Sequence, residues 1–387
     1  MDVIIPYGIN YKKCSNISFS GYKKTQIFPF LEKNLIDKKS EIVFALVAEL
    51  HVSSFYTDLE NFIIEYFSNY LTLSSLTYSI FICKYFQKIN SIKQTIPKGQ
   101  QNIALINSNE IRNIFCSIFS NFIDSKIHKY VVKIEPKCFM DEVFLLHSNI
   151  TSYHTVYDEN NIALSDKLSR GIREILYWID NPVLSHGNIE KILYWIHWCS
   201  KIESLEKKFY KNITFIFSSE YQILDKIKNK SCWEYFVWTK IWQASDKNHF
   251  LNKNLLKSLT KLFFHHYSHS KLKNRAGILA LAVLICNYQN KIKVERTISK
   301  MEIFTSINAN QFYKNINIDE DNDEKYLEEY NKFNNIKSKD NIKNIYKINT
   351  IEKKMDFLRE YIPQNNPIPQ NNSETQNIKK VSDYFST

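Results

Sequence analysis

The chain has 387 residues, of which 44% are hydrophobic and 24% charged, and its formal net charge is +11. This apolar content suffices for one large packed domain or two of ordinary size, so the composition excludes a chain that is disordered throughout. Seven cysteines at irregular intervals, without a C-x-x-C pair, argue against a disulfide framework and a structural zinc site. We therefore expect reduced thiols in an intracellular protein.

The first third of the sequence predicts an extended segment followed by helices. In residues 1–36, apolar and polar residues alternate irregularly, and neither a basic leader nor a long apolar stretch indicates a secretory signal. We predict that this segment is extended. The stretch "SEIVFALVAEL" predicts a buried helix, and its Glu49 is interpreted as a boundary residue or a hydrogen-bonded one rather than a general base. Thr57 and Glu60 have the spacing of a capping box for the next helix, and Asn107 is predicted to cap "SNEIRNIFCSIFSNFI". The stripe that faces the core in this last helix is formed by Ile111, Ile114, Phe115, Ile118 and Phe122.

A short strand is predicted next, in "KYVVKIEPK", because its residues are β-branched and a proline ends the run. Asp124 precedes this strand, and Glu135 and Lys137 lie at the end of the quoted stretch. Metal-dependent nucleases hold Mg²⁺ with acidic side chains, and a lysine positions the attacking water. The three residues are therefore the candidate catalytic site of an alternative nuclease hypothesis. The leading interpretation has no catalytic residue.

Two similar segments, "EILYWID" and "KILYWIH", predict a pair of helices joined by a short turn that contains proline and glycine. All six tryptophans follow residue 165, and their helical spacing favours burial in the core. The most apolar run, from Ala276 to Cys286, is too short to span a bilayer. We therefore predict no membrane partner.

Positive charge is concentrated between residues 181 and 300, where 20 Lys and Arg face 8 Asp and Glu, an excess of 12. Such a field favours polyanionic partners, nucleic acid above all. Lysine attracts phosphates without reading bases, so the expected binding is tolerant of sequence. The predicted contacts are Lys271, Lys273, Arg275, Lys291, Lys293 and Arg296.

The segment "FFHHYSHS" places His265 and His269 four residues apart. On a helix, this spacing can present two imidazoles to one metal ion. Neither a following glutamate, as metalloproteases require, nor a nearby cysteine or aspartate completes the set. Two ordinary surface histidines are the alternative, and no resident metal is predicted.

The composition changes after residue 300. Acidic and polar segments are followed by one short amphipathic helix over residues 351–362. The segment "PQNNPIPQNNSETQN" has too little apolar surface to offset its ordering entropy, and we expect a flexible tether. The predicted fold class is mainly α: a multi-helical globular body with minor β content and a disordered C-terminal arm. The predicted divisions are residues 1–36, 37–164, 165–300 and 301–387.

Residues 378–387, "IKKVSDYFST", combine an aliphatic residue with two adjacent aromatic ones. Val381, Tyr384 and Phe385 resemble the PIP box, a peptide motif that binds sliding clamps, and Ile378 takes the place of its glutamine. One tight helical turn would put Val381 and Tyr384 on the same side, where they can fill an apolar pocket. The resemblance implies a sliding clamp as partner and these four residues as its contacts.

The segments "CWEYFVW" and "KNRAGILALAVLICN" resemble uncharacterised helical proteins of large DNA viruses. This resemblance implies a location in the viral factory of the host cytoplasm or in the nucleus. Six glycines leave no Walker A loop or dinucleotide fingerprint, so we predict no cofactor. The sequence favours a non-enzymatic accessory protein of DNA replication or repair that binds nucleic acid and a sliding clamp. The alternatives are a structural or DNA-packaging protein of a large DNA virus and a metal-dependent nuclease.

Overall fold

A computed structural model describes residues 14–71, 73, 75–97, 101–130, 166–205, 233–247, 252–288, 290 and 292. These residues form eleven α-helices, one π-helical turn over Phe67–Leu71 and one 3₁₀ turn over His269–Lys271. The α-helices are α1 (Lys24–Ile36), α2 (Ser40–Val52), α3 (Tyr56–Tyr66), α4 (Tyr78–Thr95), α5 (Gln101–Ile106), α6 (Asn109–Asp124), α7 (Asp166–Asp180), α8 (His186–Leu205), α9 (Trp233–Lys247), α10 (Lys253–Phe264) and α11 (Leu272–Ile285).

The predicted mainly α fold class is confirmed. Within the described residues, β structure is limited to one isolated antiparallel bridge between Ile17 and Lys23. None of the helices in these ranges has the length and apolar character needed to cross a bilayer. The predicted strand lies outside the described residues except for residues 129 and 130, and the predicted C-terminal arm lies outside them entirely.

Part of the N-terminal segment that was predicted to be extended is helical. Helix α1 contains Pro29, and its buried residues Ile27, Leu31 and Leu35 recur every four positions. Such spacing places apolar side chains on one face of a helix. This spacing was not recognised in the sequence, because Pro29 interrupts it and apolar and polar residues alternate irregularly before it.

Helix α11 lies at the centre of the packing, and every residue from Arg275 to Ile285 is buried. It contacts α7, α8, α9, α10, α3 and the π-helical turn. A helix that is apolar on all sides is typical of such a position. Gly277 sits where α11 crosses the π-helical turn, and a Cβ atom there would clash with the carbonyl oxygen of Ser68.

Helices α7 and α8 form the predicted hairpin and pack closely along each other. Gly171 permits this approach, because a Cβ atom at that position would lie 2.9 Å from Cδ1 of Trp198. The prediction that the tryptophans belong to the core is confirmed, since each of them is buried. They are Trp178, Trp195, Trp198, Trp233, Trp238 and Trp242.

The helices on the two sides of the predicted boundary at residue 165 pack together. Helix α10 contacts α4, and α11 contacts α3 and the π-helical turn. One compact unit, Met1–Leu327, includes all the described residues, and the second unit, Glu328–Thr387, lies outside them. The described helices therefore share one core.

Three local predictions have different outcomes. Glu49 is hydrogen-bonded as predicted, because its carboxylate accepts from the backbone and hydroxyl of Ser20. The N-cap of α6 is Ser108, whose hydroxyl accepts from the backbone of Ile111 at 3.4 Å, and the prediction of Asn107 was wrong by one residue. Glu60 is buried and pairs with two histidines, so the predicted capping box is not formed.

Candidate functional site

A row of lysines runs along the outer side of α10. Lys253, Lys257 and Lys261 are exposed and recur every four residues, about 6 Å apart along the helix axis. The opposite side of α10 is apolar and faces the core. Its buried leucines and phenylalanine are Leu255, Leu256, Leu259, Leu262 and Phe263. Amphipathic patterning thus fixes which side of α10 the lysines occupy.

Helix α4 lies beside α10 and adds further lysines. Cys83 of α4 donates through Sγ to the carbonyl oxygen of Ser258 at 3.3 Å. Lys84 and Lys88 are exposed on α4, and neither helix contains an acidic residue. We call the exposed lysines of these two helices the lysine face; its members are Lys84, Lys88, Lys253, Lys257 and Lys261.

Some members of the lysine face have acidic partners from neighbouring segments. Lys88 pairs with Glu110, and Lys253 pairs with Asp246 at 2.9 Å. All four of these side chains are more than one third exposed, so the pairs are weak. Among the residues that the structure describes, Lys257 and Lys261 form no ion pair. These two ammonium groups are the most available for an anionic partner.

The predicted nucleic-acid contacts differ in their exposure to solvent. Arg275 is buried, and its guanidinium donates to the carbonyl oxygen of Phe263 at 2.6 Å and to Oδ1 of Asn61 at 2.8 Å. It stabilises the carboxyl end of α10 and cannot reach a phosphate, which corrects the prediction for this residue. Lys271 donates to Asn61 Oδ1 at 3.0 Å, and Lys273 is exposed on α11. The other three, Lys291, Lys293 and Arg296, lie outside the described residues.

Glu60 of α3 is the centre of a buried carboxylate cluster, with 1% of its side chain exposed. Its Oε2 accepts from Nε2 of His265 at 2.8 Å and from Nε2 of His266 at 3.2 Å. Its Oε1 lies 3.6 Å from Nζ of Lys93 on α4. Burial raises the pKa of the Glu60 carboxyl, but the hydrogen bonds from both imidazoles and the charge of Lys93 outweigh burial and bring the pKa to about 2.

A second carboxylate cluster surrounds His269 in the 3₁₀ turn. Nδ1 of His269 lies 2.7 Å from Oε1 of Glu234, and its Nε2 lies 3.0 Å from Oε2 of Glu203. The hydroxyl of Tyr267 donates to the same Glu234 oxygen at 2.7 Å. Hydrogen bonds to Glu203 and Glu234 raise the pKa of His269 to about 10, against the opposing effect of burial. This imidazole is therefore charged at neutral pH.

The predicted metal pair, His265 and His269, does not lie on one helix. Helix α10 ends at Phe264, His265 follows with an extended backbone, and His269 begins the 3₁₀ turn. The two imidazoles bind different carboxylates, those of Glu60 and of Glu234 with Glu203. Sequence reasoning missed these three acids, because an isolated glutamate in an apolar helix gives no sign of its partner.

Most of the remaining predicted site residues lie outside the described residues. Asp124 is exposed at the end of α6, and Glu135 and Lys137 of the nuclease hypothesis lie outside the described residues. The predicted clamp contacts also lie outside them; they are Ile378, Val381, Tyr384 and Phe385. The described residues therefore offer two features that could bind a ligand. One is the lysine face, and the other is the pair of histidine–carboxylate clusters in the turn that follows α10.

Comparison with protein-family models, with curated proteins and with solved structures finds no match for this chain. Its function must therefore be argued from side-chain chemistry. The lysine face and the cluster around Glu60 both involve α4 and α10. They differ in chemistry, because the lysine face attracts anions, whereas the cluster around Glu60 consists of carboxylate and imidazole groups.

Proposed function

We propose that the protein is a non-enzymatic accessory protein of DNA replication or repair. It binds nucleic acid through the lysine face, and residues 378–387 bind a sliding clamp. The observation that carries this proposal is the pair of adjacent helices, α4 and α10, whose exposed lysines are not offset by any acidic residue in either helix.

Phosphate attraction is the interaction that such a face offers. Lysine is a flexible point charge, and each phosphate that it neutralises releases a condensed counterion. The regular spacing of Lys253, Lys257 and Lys261 along one helix suits a backbone with regularly repeated charges. None of the six tryptophans is exposed for base stacking, so recognition rests on charge and does not read sequence.

Charge reversal on the lysine face tests the nucleic-acid part. Lys257→Glu combined with Lys261→Glu changes two exposed side chains, and full-length protein is titrated against fluorescent oligo(dT) and a random duplex. We expect both affinities to fall at least about tenfold, because attraction becomes repulsion. The matched control, Lys23→Glu with Lys33→Glu, changes the net charge equally on exposed residues elsewhere. Equal losses in both double variants would refute a localised lysine face.

The clamp part is tested with a peptide of residues 371–387 and the full-length protein. Calorimetry with a sliding clamp from a large DNA virus should show binding that is lost on Tyr384→Ala with Phe385→Ala. Ser382→Ala is the control, because the motif places no requirement at that position. A clamp contact would raise the local concentration of a weak DNA-binding face. Absence of binding by the wild-type peptide and protein would exclude the clamp partner, and binding that survives the aromatic substitutions would exclude Tyr384 and Phe385 as its contacts.

A further inference from the structure

Three ligating atoms converge where α3 meets the turn that follows α10. Glu60, His265 and His266 each offer one ligand atom, and all three atoms lie within 4.8 Å of one another. We propose that these residues bind a divalent transition-metal ion of the Zn²⁺ class. This site is independent of the proposed binding of nucleic acid and of a clamp.

The donor set selects the class of metal. Two imidazole nitrogens and one carboxylate oxygen suit Zn²⁺, Co²⁺ and Ni²⁺, whereas Mg²⁺ and Ca²⁺ require sets of oxygen ligands. Sites with two histidines and one glutamate hold Zn²⁺ in several hydrolases and leave the fourth position for water or a substrate atom. The chemistry of Glu60, His265 and His266 therefore matches a three-ligand site with one open position.

The distances are close to those that a metal would impose. Oε2 of Glu60 lies 2.8 Å from Nε2 of His265 and 3.2 Å from Nε2 of His266. Ligand atoms at about 2.1 Å from a tetrahedral ion are separated by about 3.4 Å. The shorter contact must widen by about 0.6 Å, which small side-chain rotations can provide. The ligand atoms of the two imidazoles lie within 4.8 Å of each other.

The backbone of the turn explains how neighbouring histidines reach the same carboxylate. His265 has an extended conformation at the end of α10, and His266 has a positive φ of 48°. Adjacent side chains in a regular strand point to opposite faces. The left-handed conformation at His266 reverses the chain, and both imidazoles then face Glu60.

A second observation concerns the other carboxylate oxygen. Glu60 is almost completely buried, yet within the described residues its Oε1 has no hydrogen-bond partner. Lys93 Nζ lies 3.6 Å from this oxygen. A buried carboxylate usually has its oxygens satisfied, so this arrangement is incomplete as a structural ion pair. In a metal site, Lys93 would orient the carboxylate from outside the ligand set.

Titration of metal-free full-length protein with Co²⁺ tests the proposal, because tetrahedral Co²⁺ absorbs strongly in the visible range. We expect one equivalent to bind and to be displaced by Zn²⁺. His266→Ala should weaken binding at least about 100-fold, since even changes outside the ligand set cost 10- to 100-fold. His266 is 47% exposed, so this variant is expected to fold, as circular dichroism will show.

The matched control is His128→Ala, which removes another half-exposed histidine that faces a carboxylate, Glu190 at 3.6 Å. Glu60→Gln adds a second ligand variant that keeps the shape of the side chain. Retained binding in His128→Ala, with loss in His266→Ala and Glu60→Gln, supports the site. Equal Co²⁺ binding by wild type and His266→Ala overturns it, as does a wild-type protein that binds no Co²⁺.

Discussion

Glu60 and His265 are 205 residues apart in the chain, and their side chains meet at 2.8 Å between Oε2 and Nε2. The contact joins α3 to the end of α10, and Lys93 adds α4 to the same cluster. It is one of several contacts that tie the first and second halves of the described fold together. Phe86 of α4 reinforces it, since its ring stacks on His265 with centroids 4.9 Å apart.

Replacement of Glu60 should cost more stability than replacement of an exposed acid. Glu60→Ala leaves His265, His266 and Lys93 without their shared carboxylate, and breaking a buried ionic cluster costs about 3 kcal/mol. Urea denaturation followed by circular dichroism measures the change in the free energy of unfolding. Glu110→Ala is the control, since its exposed pair with Lys88 should contribute less than about 1 kcal/mol. Similar losses in the two variants would contradict a central role for Glu60.

Gly277 and Gly187, two of the glycines in the described helices, should respond oppositely to alanine. Gly277→Ala places a methyl group against the carbonyl oxygen of Ser68, and we expect a loss of about 3 kcal/mol because two packed backbones must separate. Gly187→Ala meets no atom within 4 Å and should be neutral or stabilise by up to about 1 kcal/mol. Thermal unfolding of both variants checks the contrast. A stable Gly277→Ala protein would show that α11 does not cross the π-helical turn this closely.

Removing the charge of buried Arg275 should reduce stability, whereas removing the charge of exposed Lys273 should not. Arg275→Met removes donors from the carboxyl end of α10 and from Asn61, and should destabilise the fold by about 3 kcal/mol. Lys273→Met removes the same charge from an exposed position and should change stability by less than about 0.5 kcal/mol. Denaturant midpoints compare the two. Equal midpoints would mean that Arg275 is exposed in solution.

His51 should make the fold sensitive to acid. Burial, followed by the charge of Arg112, lowers the pKa of His51 to about 3, while its Nε2 lies 3.1 Å from the carbonyl oxygen of Leu105. The unfolded chain takes up this proton near pH 6.5, so stability is lost as pH falls from about 6.5 towards 3.

Unfolding free energies of wild type and His51→Gln between pH 7 and pH 4 check this expectation. The glutamine amide can still donate to Leu105 but does not titrate, so the variant should lose less stability over this range. An unchanged pH dependence in His51→Gln would contradict the burial of a neutral imidazole.

Periodicity predicted the parts of the fold in which burial follows local pattern. The stripe of α6 is buried as expected, because a helix with this spacing has only one way to hide its apolar side chains. The burial of Arg275 could not be predicted in the same way. An arginine is usually exposed, and only the folded structure shows that carbonyl oxygens of α10 accept its hydrogen bonds. Glu60 was missed for a related reason: its partners are 205 and 206 residues away.

The salt dependence of nucleic-acid binding tests the central claim most directly. The logarithm of the binding constant for duplex DNA is measured against the logarithm of salt concentration for wild type and for Lys257→Gln with Lys261→Gln. We expect the slope of the variant to be smaller by about one for each lysine that contacts a phosphate. The control, Lys23→Gln with Lys33→Gln, should keep the wild-type slope. Identical slopes for wild type and the Lys257/Lys261 variant would contradict binding through the lysine face.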